Sequence, residues 1–197
     1  MKKLTILLLA SLFSLTANAA IITYEVKDFQ AGSFTNSDYA SSWSNNTNLD
    51  TDFILSEFTG QHPGKNTLSH LSVVFDLGLV NSIDFHLGLD AHYGAAAYLD
   101  GNFLSNKIDN LWWDGNWNNP DVFSTSAGSL ANATHTLDLY WGERCCNGLN
   151  SGQFSTDGGT TWQTLSVANL NAAAIAEPSI IALFGLGLIG FGFTRRR

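Results

Sequence analysis

The chain reads Thr136-Leu137-Asp138-Leu139-Tyr140-Trp141 at the point where its alternation of apolar and polar side chains is clearest. Successive side chains of a β-strand point to opposite faces, so this period of two predicts a strand with one buried and one solvated face. The same alternation occurs in His70-Leu71-Ser72-Val73-Val74-Phe75-Asp76-Leu77 and in Ser82-Ile83-Asp84-Phe85-His86-Leu87. We find no helical stripe in the middle of the chain, and the pattern therefore predicts an all-β domain.

Turn residues separate these strands at short intervals. Asp100-Gly101 stands between two short apolar runs and predicts a hairpin, because both residues favour a positive φ. Asp157-Gly158-Gly159 predicts a second hairpin, and the polar residues 41–48 predict a stretch of turns. Short strands at this spacing are typical of an antiparallel β-sandwich, and we expect one of the jelly-roll type.

The N-terminus carries the pattern of an export signal. Lys2 and Lys3 precede an apolar run over residues 4–15, and Ala17-Asn18-Ala19 follows it. A basic start, a short apolar core and small residues at an A-x-A site are typical of a secretory signal peptide. We therefore predict a signal peptide over residues 1–19, with cleavage after Ala19.

The C-terminus carries a second ordered pattern. Glu177-Pro178-Ser179 leads into an apolar run over residues 180–193, and Arg195, Arg196 and Arg197 close the chain. As a helix this run is about 21 Å long, and the preceding small residues extend it towards the length of a membrane span. The positive-inside rule places the arginines on the cytoplasmic side, so we predict a transmembrane helix over residues 180–193.

The order of these three elements resembles the PEP-CTERM sorting signal of Gram-negative bacteria, with Ala176 in place of its first proline. The resemblance implies an exported protein that is anchored in the inner membrane, processed by an exosortase near Glu177 and Pro178, and released to the cell surface or extracellular matrix. It also implies an association with exopolysaccharide and biofilm.

The residues between the two ends are strongly acidic. Residues 20–176 contain four basic side chains and sixteen acidic ones, a formal charge of −12 in a chain whose total is −8. Such a charge disfavours nucleic acid and anionic lipid as partners, and leaves calcium open as a counter-ion. Small residues over 168–176 predict a linker. We therefore divide the chain into a β-sandwich over 20–171 and a linker with the sorting signal over 172–197.

Both cysteines of the chain are adjacent, at Cys145 and Cys146. In an exported protein they can form a vicinal disulfide that shapes a turn, although neighbouring Cα atoms are closer than an ordinary disulfide prefers. Cross-links to other chains, and free thiols or a metal site, remain alternatives.

The segment from His135 to Gly148, with Phe154 and Trp162 after it, resembles a PEP-CTERM group marked by Cys-Cys-x-Gly. More distantly it is similar to PA14 and fibro-slime domains, which are β-sandwiches of adhesins and matrix proteins. Tyr98-Leu99-Asp100-Gly101 occupies the place of the hairpin of those domains. In PA14 lectins an Asp-Asp pair before this hairpin holds calcium. Here Asp90 stands alone, either as a calcium ligand or as a solvated turn residue.

Residues 109–121, the tryptophan loop, contain Trp112, Trp113 and Trp117 among amides and carboxylates. Such a set can stack on a sugar ring and bind its hydroxyl groups, which predicts a carbohydrate-binding module as the alternative function. The other interpretation is that these tryptophans close one end of the sandwich.

No recognised catalytic motif occurs in the chain, and its many carboxylates are not arranged in a specific pair. We expect an ion pair between Glu143 and Arg144 at a strand end. The sequence thus predicts a non-enzymatic surface or matrix protein.

Overall fold

The computed structural model describes residues 19–28 and 38–174. These residues form two short helices and twelve strands. The helices are α1 (Tyr39–Asn45) and α2 (Val167–Ala174). The strands are β1 (Ile21–Asp28), β2 (Leu49–Leu55), β3 (Thr67–Asp76), β4 (Ser82–Gly88), β5 (Asp90–Ala91), β6 (Ala95–Leu99), β7 (Asn102–Lys107), β8 (Leu111–Trp112), β9 (Phe123–Gly128), β10 (Thr134–Glu143), β11 (Ser151–Ser155) and β12 (Gln163–Thr164).

The strands form two main antiparallel sheets and one small one. The larger sheet has the order β2-β1-β3-β10-β6-β7, and the second has the order β12-β11-β4-β9. β5 and β8 pair with each other at one end of the molecule. The prediction of an all-β antiparallel sandwich is confirmed.

The period of two explains why the sheets face each other. On β10 the side chains of Leu137, Leu139 and Trp141 point inward and are completely buried, while Asp138 and Tyr140 point outward. β1, β3 and β4 alternate in the same way, and their inner side chains join one continuous apolar core between the two sheets. Removing this apolar surface from water is the main source of stability.

A histidine ties three strands together on the outer face of the larger sheet. His70 on β3 makes hydrogen bonds with Glu25 on β1 through Nδ1 (2.7 Å) and with Asp138 on β10 through Nε2 (2.9 Å). Its ring stacks on Tyr140 at a centroid distance of 4.4 Å. These contacts join β1, β3 and β10 on the outer face of the larger sheet.

Two segments differ from the sequence expectations, and both contain a helix. Part of the polar stretch 41–48 belongs to α1, which begins after Asp38, whose side chain accepts a hydrogen bond from the Ser41 amide. Tyr39 and Trp43 are one turn apart and bury their rings on the sheet. Most of the expected linker 168–176 is occupied by α2, whose Leu170 enters the core.

Candidate functional site

One end of the sandwich brings the small β5–β8 sheet against the loop that joins β10 to β11. Asp90 on β5 makes hydrogen bonds to this loop. Its carboxylate accepts a hydrogen bond from the Gly148 amide, and its own amide donates to Oδ1 of Asn150 at 2.9 Å. The loop and β5 are thus connected through both the side chain and the backbone of one residue.

Asp90 and Glu143 form a buried carboxyl pair. Asp90 is 3% exposed and Glu143 is 2% exposed, and the two carboxyl groups are close enough to interact electrostatically. Glu143 also accepts hydrogen bonds from the amides of His92 (2.8 Å) and Cys145 (2.6 Å). Burial and the adjacent charge of Glu143 raise the pKa of Asp90 to about 6.

This geometry corrects two expectations. Asp90 is a buried strand residue and not a solvated turn residue. Glu143 faces the backbone amides beneath the loop, whereas Arg144 is exposed, and no salt bridge joins them in the part of the chain that the structure describes. The backbone amides that need a hydrogen-bond acceptor determine the orientation of the buried Glu143 side chain, and its neighbour in sequence does not.

The donor set at this site does not fit calcium. Calcium takes six to eight oxygen ligands in proteins. Both carboxylate oxygens of Glu143 and one of Asp90 already accept hydrogen bonds from backbone amides. Within residues 19–28 and 38–174, no group of three or more His, Cys, Asp or Glu side chains is placed to hold a metal ion.

The disulfide turn, residues 145–148, covers the carboxyl pair. In the structure Cys145 and Cys146 are joined by a disulfide bond, and both side chains are exposed. Cys146 and Asn147 have φ angles of 87° and 74°, in the left-handed region that non-glycine residues rarely adopt. Asn147 is tied to a second loop, because its Oδ1 accepts from the Gly64 amide at 2.6 Å.

The turn requires glycine at its last position. A Cβ on Gly148 would lie 2.7 Å from Cγ of Asp90 and 2.8 Å from its Cβ, closer than such atoms approach. The Cys-Cys-x-Gly pattern therefore has a physical reason in this chain. Its glycine lets the turn reach the buried carboxylate.

The tryptophan loop contains one buried tryptophan, Trp113, and one exposed tryptophan, Trp112. Trp113 is 5% exposed and donates from Nε1 to the Asn116 carbonyl (3.1 Å). It packs so closely on Gly88 that a Cβ there would overlap its ring. Trp117 stands against Trp113 at a ring-centroid distance of 4.6 Å. Trp112 is 51% exposed and lies directly opposite Asp90 on the paired strand.

Of the predicted contact residues, the structure thus brings Trp112, Asp90 and the two cysteines to the same end of the molecule. It assigns Trp113 to the core. The sequence interpretation missed Glu143 as a partner of Asp90, and it missed Asn150, which is completely buried. The available signal for Glu143 was its position at the inward phase of the β10 alternation.

The sorting residues Glu177, Pro178 and Ser179 and the arginines Arg195, Arg196 and Arg197 lie outside the described residues. So do the predicted signal peptide, except its last residue, and the predicted helix over 180–193. Among residues 19–28 and 38–174, no helix has the length and apolar character that a membrane span requires.

The comparison with protein families gives one match. Residues 174–197 match the PEP-CTERM protein-sorting motif. The motif indicates an exported protein that is anchored transiently in a membrane and sorted by an exosortase. The recognition of this signal from its glutamate, proline, apolar run and arginines is confirmed. No curated protein matches the chain.

Solved structures share the fold at low sequence identity. A PA14 sugar-binding domain from an RTX adhesin is 10% identical, with a TM-score of 0.56 over 77% of this chain and 97% of that one. The PA14 domain of the antifreeze protein MpAFP is 16% identical, with a TM-score of 0.53 over 78% and 92%. The Epithelial Adhesin 6 A domain of Candida glabrata, solved with Galb1-3GlcNAc, is 9% identical, with a TM-score of 0.51 over 79% and 88%. The similarity of this chain to PA14 domains in fold is therefore confirmed.

Proposed function

We propose that this chain is a non-enzymatic protein of the cell surface or extracellular matrix of a Gram-negative bacterium. It crosses the inner membrane by its signal peptide, is held there by the helix over 180–193, and is released by an exosortase-type enzyme that acts near Glu177 and Pro178. The observation that carries the proposal is the sorting motif at residues 174–197. Its acidic sandwich then joins the exopolysaccharide of a biofilm.

The sorting step is tested in a bacterium that has an exosortase. We expect Glu177→Ala combined with Pro178→Ala to keep the chain in the inner membrane with its C-terminal segment uncleaved, because the recognition residues are removed while the span remains. The matched control replaces Arg195, Arg196 and Arg197 by lysine, which preserves the charge that sets orientation. Cell fractionation and intact mass measure the outcome. Release of the double variant at the wild-type rate would refute exosortase sorting at this motif.

A second candidate function is carbohydrate binding at the end of the sandwich. The observation that favours it is Trp112, whose ring is exposed beside the strand that carries Asp90. An exposed indole can stack on the apolar face of a sugar ring, while the surrounding amides of the tryptophan loop bind hydroxyl groups. Since the donor set does not fit calcium, we propose that binding does not require it.

This function is tested by binding of the full chain, purified after export, to a glycan array and to extracellular polysaccharide. We expect Trp112→Ala to weaken binding by roughly tenfold or more, as aromatic contacts at binding hot spots do. Phe53→Ala is the matched control, because Phe53 is a similarly exposed aromatic residue (46%) on the edge strand β2. Equal loss in both variants, or none in either, would contradict a sugar site at Trp112. Excess chelator should leave binding unchanged.

A further inference from the structure

The disulfide turn has a feature that carbohydrate binding alone does not explain. Two consecutive non-glycine residues, Cys146 and Asn147, are held in the left-handed region. We propose that the Cys145–Cys146 disulfide is a redox lock, and that its reduction by an external dithiol releases the turn from Asp90 and opens this end of the sandwich.

The disulfide bond constrains the backbone conformation of the turn. A bond between neighbouring side chains closes a very small ring, which restricts the backbone of both cysteines and of the residue that follows. When the bond is broken this restriction disappears, and non-glycine residues favour a return to negative φ. The turn would then no longer hold the Gly148 amide within hydrogen-bond distance of the Asp90 carboxylate.

The disulfide turn also holds neighbouring segments of the site through hydrogen bonds. The Gly148 amide donates to Asp90, and the Cys145 amide donates to Glu143. The Asn147 carbonyl accepts from Nδ1 of His62 at 3.1 Å. The turn therefore connects β5, the end of β10 and the segment around His62. If the turn changes conformation, all three segments lose a hydrogen-bond partner.

The carboxyl pair of Asp90 and Glu143 depends on the hydrogen bonds from the turn. Two buried carboxyl groups in contact depend on the amides that face them, because an ionised group without such partners is costly to bury. Loss of the amide donors makes the buried state of Asp90 and Glu143 less favourable. We therefore expect the release to spread from the turn to β5 and to its partner strand with Trp112. His92 is a further charged neighbour of Asp90, and His62 contacts the turn at the Asn147 carbonyl.

The chemistry needs a dithiol from outside the protein. A thiolate of the dithiol attacks one sulfur of the Cys145–Cys146 bond and forms a mixed disulfide, and its second thiol then displaces that cysteine. The protein gains two S–H bonds, and the dithiol becomes a disulfide after giving up two electrons and two protons. Both cysteines are exposed, so the reagent can reach them.

The opening itself does not depend on any ligand. Its consequence for sugar binding does rest on the carbohydrate site proposed above. The two are separated by measuring the opening without a ligand and the binding in a second experiment.

The test is hydrogen–deuterium exchange of the full chain, purified after export, with and without dithiothreitol. Mass and thiol alkylation establish the redox state. We expect exchange over residues 88–93 and 143–150 to become roughly tenfold faster on reduction, as for a local opening. The hairpin around Asp157 lies on another sheet and serves as an internal control, with unchanged exchange. Unchanged exchange at both segments, or a uniform increase over the chain, would overturn the lock. Free thiols or cross-links between chains in the exported protein would also overturn it.

Two variants make the test independent of the reagent. The double variant Cys145→Ser, Cys146→Ser should exchange like the reduced protein and show no response to dithiothreitol. Gly148→Ala should raise exchange at residues 88–93 even with the disulfide intact, because its Cβ displaces Asp90. If the serine variant fails to fold, the wild-type comparison and Gly148→Ala still decide. Sugar binding that persists after a confirmed opening would reject the link to function and leave the lock standing.

Discussion

At the scale of single residues, Asp90 shows how burial changes a carboxyl group. Its pKa is raised from the usual value of 3.8 to about 6 by desolvation and by the charge of Glu143. The folded protein therefore holds this proton more tightly than the unfolded chain does. The exposed Asp157 behaves in the opposite way, because hydrogen bonds from Thr161 and Ser155 lower its pKa to about 2.

The first prediction follows from the raised pKa. The contribution of protonated Asp90 to stability is fully present below about pH 4 and is lost as the pH rises through about 6. We expect Asp90→Asn to remove this part of the pH dependence, since an amide cannot ionise. Urea unfolding at a series of pH values between 4 and 8 measures it.

Asp109→Asn is the matched control, because Asp109 is exposed. It should retain the wild-type loss of stability between pH 4 and 7. The same pH dependence in Asp90→Asn as in the wild type would mean that this carboxyl group titrates normally.

At the scale of elements, strands and hairpins were predictable because their signals are local. The alternation over 136–141 alone locates β10, and the Asp100-Gly101 turn has φ angles of 51° and 76°, as its residue types predict. The helices were not predictable in this way. α1 has only seven residues, and α2 consists mainly of alanine and asparagine around one buried leucine, Leu170. Both helices form because of tertiary packing, which the periodicity of apolar residues in the sequence does not reveal.

The second prediction concerns α2. Leu170 is completely buried against the core between the sheets. We expect Leu170→Ala to lower the free energy of unfolding by about 2–5 kcal/mol, the usual cost of a cavity at a buried leucine. Ala168→Ser on the exposed side of the same helix should cost only a few tenths of a kcal/mol. Urea unfolding measures both losses. A loss for Leu170→Ala as small as that for Ala168→Ser would show that the helix does not belong to the folded domain.

At the scale of the whole molecule, the site depends on contacts between residues far apart in sequence. Asp90 and Glu143 lie on different sheets, and their contact requires both the strand order of the larger sheet and the turn at Gly148. The sequence contains the alternation that predicts β10, but it does not contain this pairing. The same applies to Trp112 and Trp113, adjacent residues whose exposure differs because they point to opposite sides of β8 and the loop after it.

The two ends of the described domain also meet. The Ala20 amide donates to Oδ1 of Asn171 on α2 at 2.7 Å, and Ala20 is buried. The segments that precede Ala20 and follow α2 therefore leave from the same region of the sandwich. β1 begins directly afterwards, at Ile21.

The third prediction follows from this arrangement. Cleavage after Ala19 leaves β1 complete and converts the Ala20 amide into an ammonium group that Asn171 can still accept from. Processing near Glu177 falls beyond the last residue of α2, Ala174, and leaves the helix complete. We expect the intact mass of the exported chain to correspond to a first residue at Ala20 and a last residue after Ala174, less two hydrogens for the disulfide. A chain that begins within β1 or ends within α2 would contradict this, because either cut removes residues that close the core.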